Sequence, residues 1–169
     1  MIHFDPTVDY GLTDLKKEAN LICWKFGELI KTLITLSSRA ERQIEIIGAG
    51  AVTDEMVEDF YSYFKISYKQ YIENKLIDEV LLIKLNFLND FLDQRSGDKA
   101  PDFWDDTILS TNNDWQNVRT QVKEILTLMG FENLDIAFER TEKFEKTNEG
   151  QKLILQTTRT RLISKQCRN

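Results

Sequence analysis

The chain has 169 residues, 41% of them hydrophobic and 30% charged, with a formal net charge of −6. That balance excludes intrinsic disorder, and no apolar run approaches the ~18 residues that a membrane span requires. Charge is segregated: residues 51–115 hold fourteen Asp and Glu against six Lys and Arg, while residues 116–169 hold ten bases against seven acids.

In chain order, the first helix is predicted from a cap at Thr13 to a stop before Gly48, on an apolar stripe from Leu12 to Ala40. Leu12, Leu15, Ala19, Ile22, Phe26, Leu29, Leu33, Leu36 and Ala40 recur at steps of three and four, the seam of a long helix packed at a shallow angle. Thr13 is its expected N-cap, with Asp14 in the first turn, and the stretch from Gly48 to Gly50 ends it. Thr53 is expected to cap a second helix whose apolar residues are Val57, Phe60, Tyr61, Phe64, Tyr68, Tyr71 and Ile72. A third helix is predicted from Asp78 to Gln94. Its broad apolar face (Val80, Leu81, Leu85, Phe87, Leu88, Phe91, Leu92) marks it as the most buried element.

Gly97 suits the reversal that follows, and residues 98–112 form a polar connection containing PDFWDD. Asn113 is the expected cap of a fourth helix, with Gln116 in the capping-box position and Gly130 at the C-terminal stop. Trp115, Val118, Val122, Ile125 and Met129 give it a three-four stripe. Beyond it, Leu134, Ile136 and Phe138 alternate, KLILQTTRTRL is rich in β-branched residues, and TNEG is a turn signal. A β-hairpin is favoured there over a helical pair. The expected fold is a single, mainly α domain. It has a bundle of four to five helices over about 12–130 and the hairpin or helical pair over about 131–166.

Cys23 and Cys167 are too few for a disulfide framework and read as reduced thiols of an intracellular protein. The N-terminus (His3, Asp5, Pro6, Asp9) shows no basic run followed by an apolar core, so no signal peptide is read and a soluble, cytoplasmic protein is expected. IEIIGAGAVT (Ile44 to Thr53) imitates a dinucleotide-binding turn, but Thr53 stands at the third glycine position and no second βαβ unit follows; a helix break is expected. His3 is the only imidazole and lacks a Ser or Cys partner, so nucleophilic catalysis finds no constellation. No zinc spacing occurs, and among so many acids any pair chosen for acid–base work is arbitrary.

Asp102, Asp105 and Asp106 around Trp104 are carboxylates that could hold a hard cation; structure or partner binding is the preferred reading. The cluster is similar to the aspartate-rich motif of all-α isoprenoid enzymes, but those use a pair of such motifs and this chain offers one. Tyr61 and Tyr63 lie beside Glu55, Glu58 and Asp59, and tyrosine amid carboxylates suits either a core or a protein interface. The basic tail (Arg159, Arg161, Lys165, Arg168) reads as solvated or self-pairing rather than as a nucleic-acid site.

The stretch from Leu76 to Met129, in which LNFLNDFLD leads to PDFWDD and NDWQNVRTQVKEILTLMG, resembles the small acidic helical immunity proteins of bacterial toxin systems. The resemblance covers about a third of the chain and implies a non-enzymatic inhibitor that masks a basic partner. Expected contact residues are Glu55, Glu58, Asp59, Tyr61, Tyr63, Asp102, Trp104, Asp105 and Asp106. No cofactor, nucleic acid or membrane partner is expected. The alternatives are a scaffolding homodimer through the first helix and, third, a metal-dependent enzyme using the aspartates.

Overall fold

A computed structural model describes residues 1–165; Cys167 and Arg168 lie outside the described residues. Six α-helices are followed by a two-stranded antiparallel hairpin. They are α1 (Glu18–Ser37), α2 (Ala40–Ile47), α3 (Val52–Phe60), α4 (Tyr68–Glu73), α5 (Glu79–Asp93) and α6 (Asn113–Met129), then β1 (Leu134–Thr147) and β2 (Gly150–Ser164). The architecture is mainly α with a C-terminal hairpin, as the sequence predicts. Among the described residues no helix is long and apolar enough to cross a membrane.

The predicted first helix is two helices preceded by a non-helical segment. Thr13 does not cap it: its hydroxyl donates to the carbonyl of Tyr10, and Leu12 is 73% exposed. The N-terminal segment instead folds back over α1. It inserts Phe4 against Gly27 and edge-on to Phe26 at 5.1 Å, so Leu12 and Leu15 precede α1 and do not extend its seam.

At the other end the ladder stops at Ser37. The hydroxyls of Ser37 and Ser38 donate back to the carbonyl of Ile34 (2.9 and 2.7 Å), competing with the helix's own bonds. The buried Arg119 of α6 then holds the corner. Its Nε donates to the carbonyl of Ser38 at 3.0 Å, and its Nη2 donates to Gln43 Oε1 at 2.9 Å and the Leu109 carbonyl at 2.8 Å. Carbonyls orphaned at a helix end must find donors; here Arg119 supplies the Ser38 carbonyl, and Gln43 Nε2 the Leu36 carbonyl at 3.2 Å.

Eleven of the twenty residues of α1 are buried, against only Leu81, Leu85, Leu88 and Leu92 of α5. The expectation that α5 is the most buried element is therefore corrected. Val80 and Phe87 are 56% and 63% exposed, because α5 is covered on one side only. Leu36 and Ala40 lie inside the monomer at 0% and 5% exposure, so this end of the predicted seam packs within the chain.

Two caps also move by a position or more. Asn112, not Asn113, caps α6, its Oδ1 accepting from the amides of Asp114 (2.9 Å) and Trp115 (3.1 Å), which leaves Gln116 outside the capping box. Gly130 ends α6 at φ +75. In IEIIGAGAVT, α2 stops at Ile47 and the chain turns through Gly48 at φ +78, an ordinary helix break. A Cβ on Gly48 would lie 2.6–2.8 Å from the ends of the Gln156 and Arg140 side chains, which can shift, so it is the backbone at φ +78 and ψ −132 that calls for glycine.

The hairpin turns at Asn148 and Glu149, with Leu134 opposite Ser164 and Thr147 opposite Gly150. Its base is anchored by Ile136, 2% exposed, and by Arg140, whose Nη2 donates to the carbonyls of Glu45 (3.0 Å) and Ile46 (2.8 Å) at the C-terminus of α2. A cation there also complements the helix dipole.

Candidate functional site

The acidic middle of the chain is organised by α3. Its N-terminal amides are satisfied from afar. Asp106 accepts from Val52 N at 2.8 Å and Thr53 N at 3.0 Å, while the Thr53 hydroxyl donates to the Trp104 carbonyl at 3.2 Å. Thr53 is thus a buried helical residue, not the cap. Val52, Met56, Val57 and Phe60 face the core, which leaves Asp54, Glu55 and Glu58 in solvent and Asp59 half-buried at the edge.

Directly after α3 a π turn spans Tyr61–Lys65. The wider turn rotates the following side chains relative to an α-helix. Phe60 and Phe64 both stay in the core, stacked at 5.2 Å, while Tyr61 and Tyr63 emerge on opposite flanks. The aromatic run is thereby divided: Phe60, Phe64 and Tyr71 are core, and Tyr61 and Tyr63 are half-exposed.

The expected contact residues fall into two depressions either side of α3 and a remainder. On the hairpin side, a cleft of about 430 Å³ takes Glu55, Asp59 and Tyr63 together with Glu28, Thr35 and Thr158. Tyr63 stands edge-on to Trp24 at 6.0 Å. Burial, with Glu55, Glu28 and Glu58 nearby, pushes the Asp59 carboxyl up to about 6. This cleft is not purely acidic, because Lys31 lines it and donates to Glu28 (2.7 Å) and the Thr160 carbonyl (3.1 Å).

On the opposite flank an open groove of about 760 Å³ is lined by Asp54, Glu58, Tyr61, Asp98 and Trp104, with Val57 and Pro101. Among the described residues no Lys or Arg lines it, although Lys65 Nζ stacks over the Tyr61 ring at 4.9 Å. Trp104 is fixed by its indole N–H donating to the Arg95 carbonyl at 2.7 Å, and Tyr61 Oη lies 3.4 Å from Ser96 Oγ. Burial pushes the Tyr61 phenol up to about 12, so it stays neutral and polar at the rim of an anionic groove.

The remaining aspartates hold the chain together. Asp105 accepts from its neighbour Thr107 (amide 2.9 Å, hydroxyl 2.6 Å), bonds that keep its carboxyl below the usual range. Asp106 caps α3, and Asp102 is exposed, with its carbonyl accepting from Asn112 at 3.4 Å. Among the described residues no three His, Cys, Asp or Glu side chains are grouped to hold a metal ion. Phe103, between them, is core, stacked on Trp115 at 4.4 Å.

Sequence reasoning missed Glu28, Asp54 and Asp98. Asp54 was legible, since it stands four residues before Glu58 and shares its helix face. Glu28 and Asp98 come from other elements and carry no local signal. The basic strand is partly spent within the chain, as Arg159 pairs with Asp9 at 2.8 Å and Lys165 donates to the Glu132 carbonyl. No known protein family matches this chain, and no curated protein or solved structure is significantly similar to it.

Proposed function

We propose that the protein is a non-enzymatic binding module that masks a basic partner protein in the groove between α3 and the connection at Ser96–Trp104. One observation carries this reading: three carboxylates surround two half-buried aromatic rings, and among the described residues no base lines the groove. Lys or Arg side chains on a partner would gain the carboxylates and stack on Trp104, while Tyr61 already carries Lys65 Nζ 4.9 Å from its ring centre. The first-ranked partner class is a bacterial toxin whose basic active surface would be occluded.

An Arg-rich decapeptide serves as the probe, with Trp104 beside the site among the fluorescence reporters, followed by affinity capture from host extract at low and high salt. Binding should weaken steeply with salt, because exposed charges are screened over about 8 Å at physiological ionic strength. Glu58→Lys with Asp98→Lys should reduce affinity at least tenfold. Equal binding at both salt concentrations, or an unaffected double variant, would refute the proposal.

A further inference from the structure

Beyond the acidic groove, the distal hairpin carries a second interaction surface. Past Arg140 and Gln156 the two strands leave the bundle as an arm, and every residue from Thr141 to Gln151 is exposed. An isolated two-stranded ribbon is marginal in water, and an open strand edge is a template for further pairing. Near the bundle both edges are engaged by helix side chains: Arg42 donates to the Ile136 carbonyl on β1 and Lys31 to the Thr160 carbonyl on β2. On the arm, no described helix side chain engages them. The two edges also differ. β2 is interrupted by a bulge at Ile154, since Lys143 faces Leu155 and Phe144 faces Leu153, whereas β1 runs through without an extra residue.

The sequence of the regular edge, Thr-Glu-Lys-Phe-Glu-Lys-Thr over residues 141–147, reads as its own charge complement when reversed. We propose that the protein pairs with a second copy of itself through this edge, antiparallel about a two-fold axis at Phe144, to form a four-stranded sheet. In that register Lys143 faces Glu145 of the second copy, Glu142 faces its Lys146, and Thr141 faces its Thr147. By symmetry each pair occurs twice. Directly opposed residues share a sheet face, so Phe144 meets its counterpart, flanked on each side by the Leu153 already paired with it.

Centring the axis one or two residues away, on Glu142, Lys143, Glu145 or Lys146, opposes a charge to itself. Centring it on Thr141 also matches charges, but it lays the second arm across Ile136, whose carbonyl Arg42 occupies. A strand edge rich in charges ordinarily resists pairing. This one resists every neighbouring register and admits one. Two-fold pairing of a self-complementary patch closes on itself and stops at the dimer.

The test is a charge swap read by light scattering and sedimentation at hundred-micromolar loading. Wild type should show dimer in low salt. Lys143→Glu converts two attractive pairs into repulsive ones and should raise the dissociation constant about tenfold or more. Adding Glu145→Lys restores every opposed pair and should restore the dimer. Amides of residues 141–147 should gain hydrogen-exchange protection with concentration, and unchanged circular dichroism confirms that the helices of each variant fold. A wild type that stays monomeric, a dimer indifferent to Lys143→Glu, or a double swap that fails to re-associate would overturn the proposal. Neither variant touches Glu58 or Asp98, so failure here leaves the groove reading standing, and the reverse.

Discussion

The helical bundle and the distal arm are built from similar residue types but solve opposite problems. In the bundle, Phe26 is 2% exposed and meets Phe4 and Tyr71 edge-on at 5.1 and 5.2 Å. On the arm, Phe144 is 52% exposed with one strand beneath it. The same side chain is core in one place and surface in the other because a helix surrounded by neighbours can close around a ring, and a two-stranded ribbon cannot. The bundle closes its core within the chain; the arm has no core of its own to close.

The comparison breaks most sharply in the core. Leu36→Glu places an unpaired charge at a position with no exposure and should unfold the protein, with loss of the helical circular dichroism signal. A folded monomer from that variant would show that the seam is not intramolecular core. Phe26→Ala removes a ring from the same region and should cost ~3–5 kcal/mol in urea denaturation.

At the junction of the two regions the expected effect is smaller. Arg140→Ala takes the donor from two carbonyls at the end of α2 and should cost about 1–3 kcal/mol. Hydrogen exchange should rise at the hairpin base while α6 stays protected; equal loosening of both would mean that the arm and bundle are one cooperative unit.

The smallest effect is conditional on pH. The folded-state value of Asp59 is raised to about 6 from an ordinary 3.8, so its charged form opposes folding. That penalty is full above pH 6 and vanishes once both states are protonated, near pH 3.8. Asp59→Asn should therefore raise the melting temperature by about 3 °C or more at pH 7.5, and the gain should fade as pH drops through 6 toward 4. A gain independent of pH would place its origin elsewhere than in the carboxylate.

Much of this was legible from residues alone. The stripe from Ile22 to Leu36, the α6 stripe, Gly130 and the turn at Asn148–Glu149 all rest on local pattern, and local pattern is what a sequence displays. Three of the misreadings share one cause, in that the deciding partner is remote. Nothing near Ser38 announces that Arg119 will hold its carbonyl, and nothing near Thr53 says that Asp106 will cap α3 in its place. Val80 and Phe87 carry a helical apolar pattern, but which half of it is covered depends on how many neighbours α5 acquires. For the site, Glu58 and Tyr61 were readable as an acidic and aromatic pair, whereas Asp98 joins them only after the chain has turned back on itself.

That remote cap also sets an order of events. During synthesis the amides of Val52 and Thr53 are made 53–54 residues before the carboxylate that will accept from them. Until Asp106 has emerged and its turn has closed, the first turn of α3 must stay solvated or frayed, however favourable its own composition. The acidic face is therefore assembled late, after α5 exists to return the chain. A nascent fragment that stops before residue 106 would carry the charges of the groove without its shape.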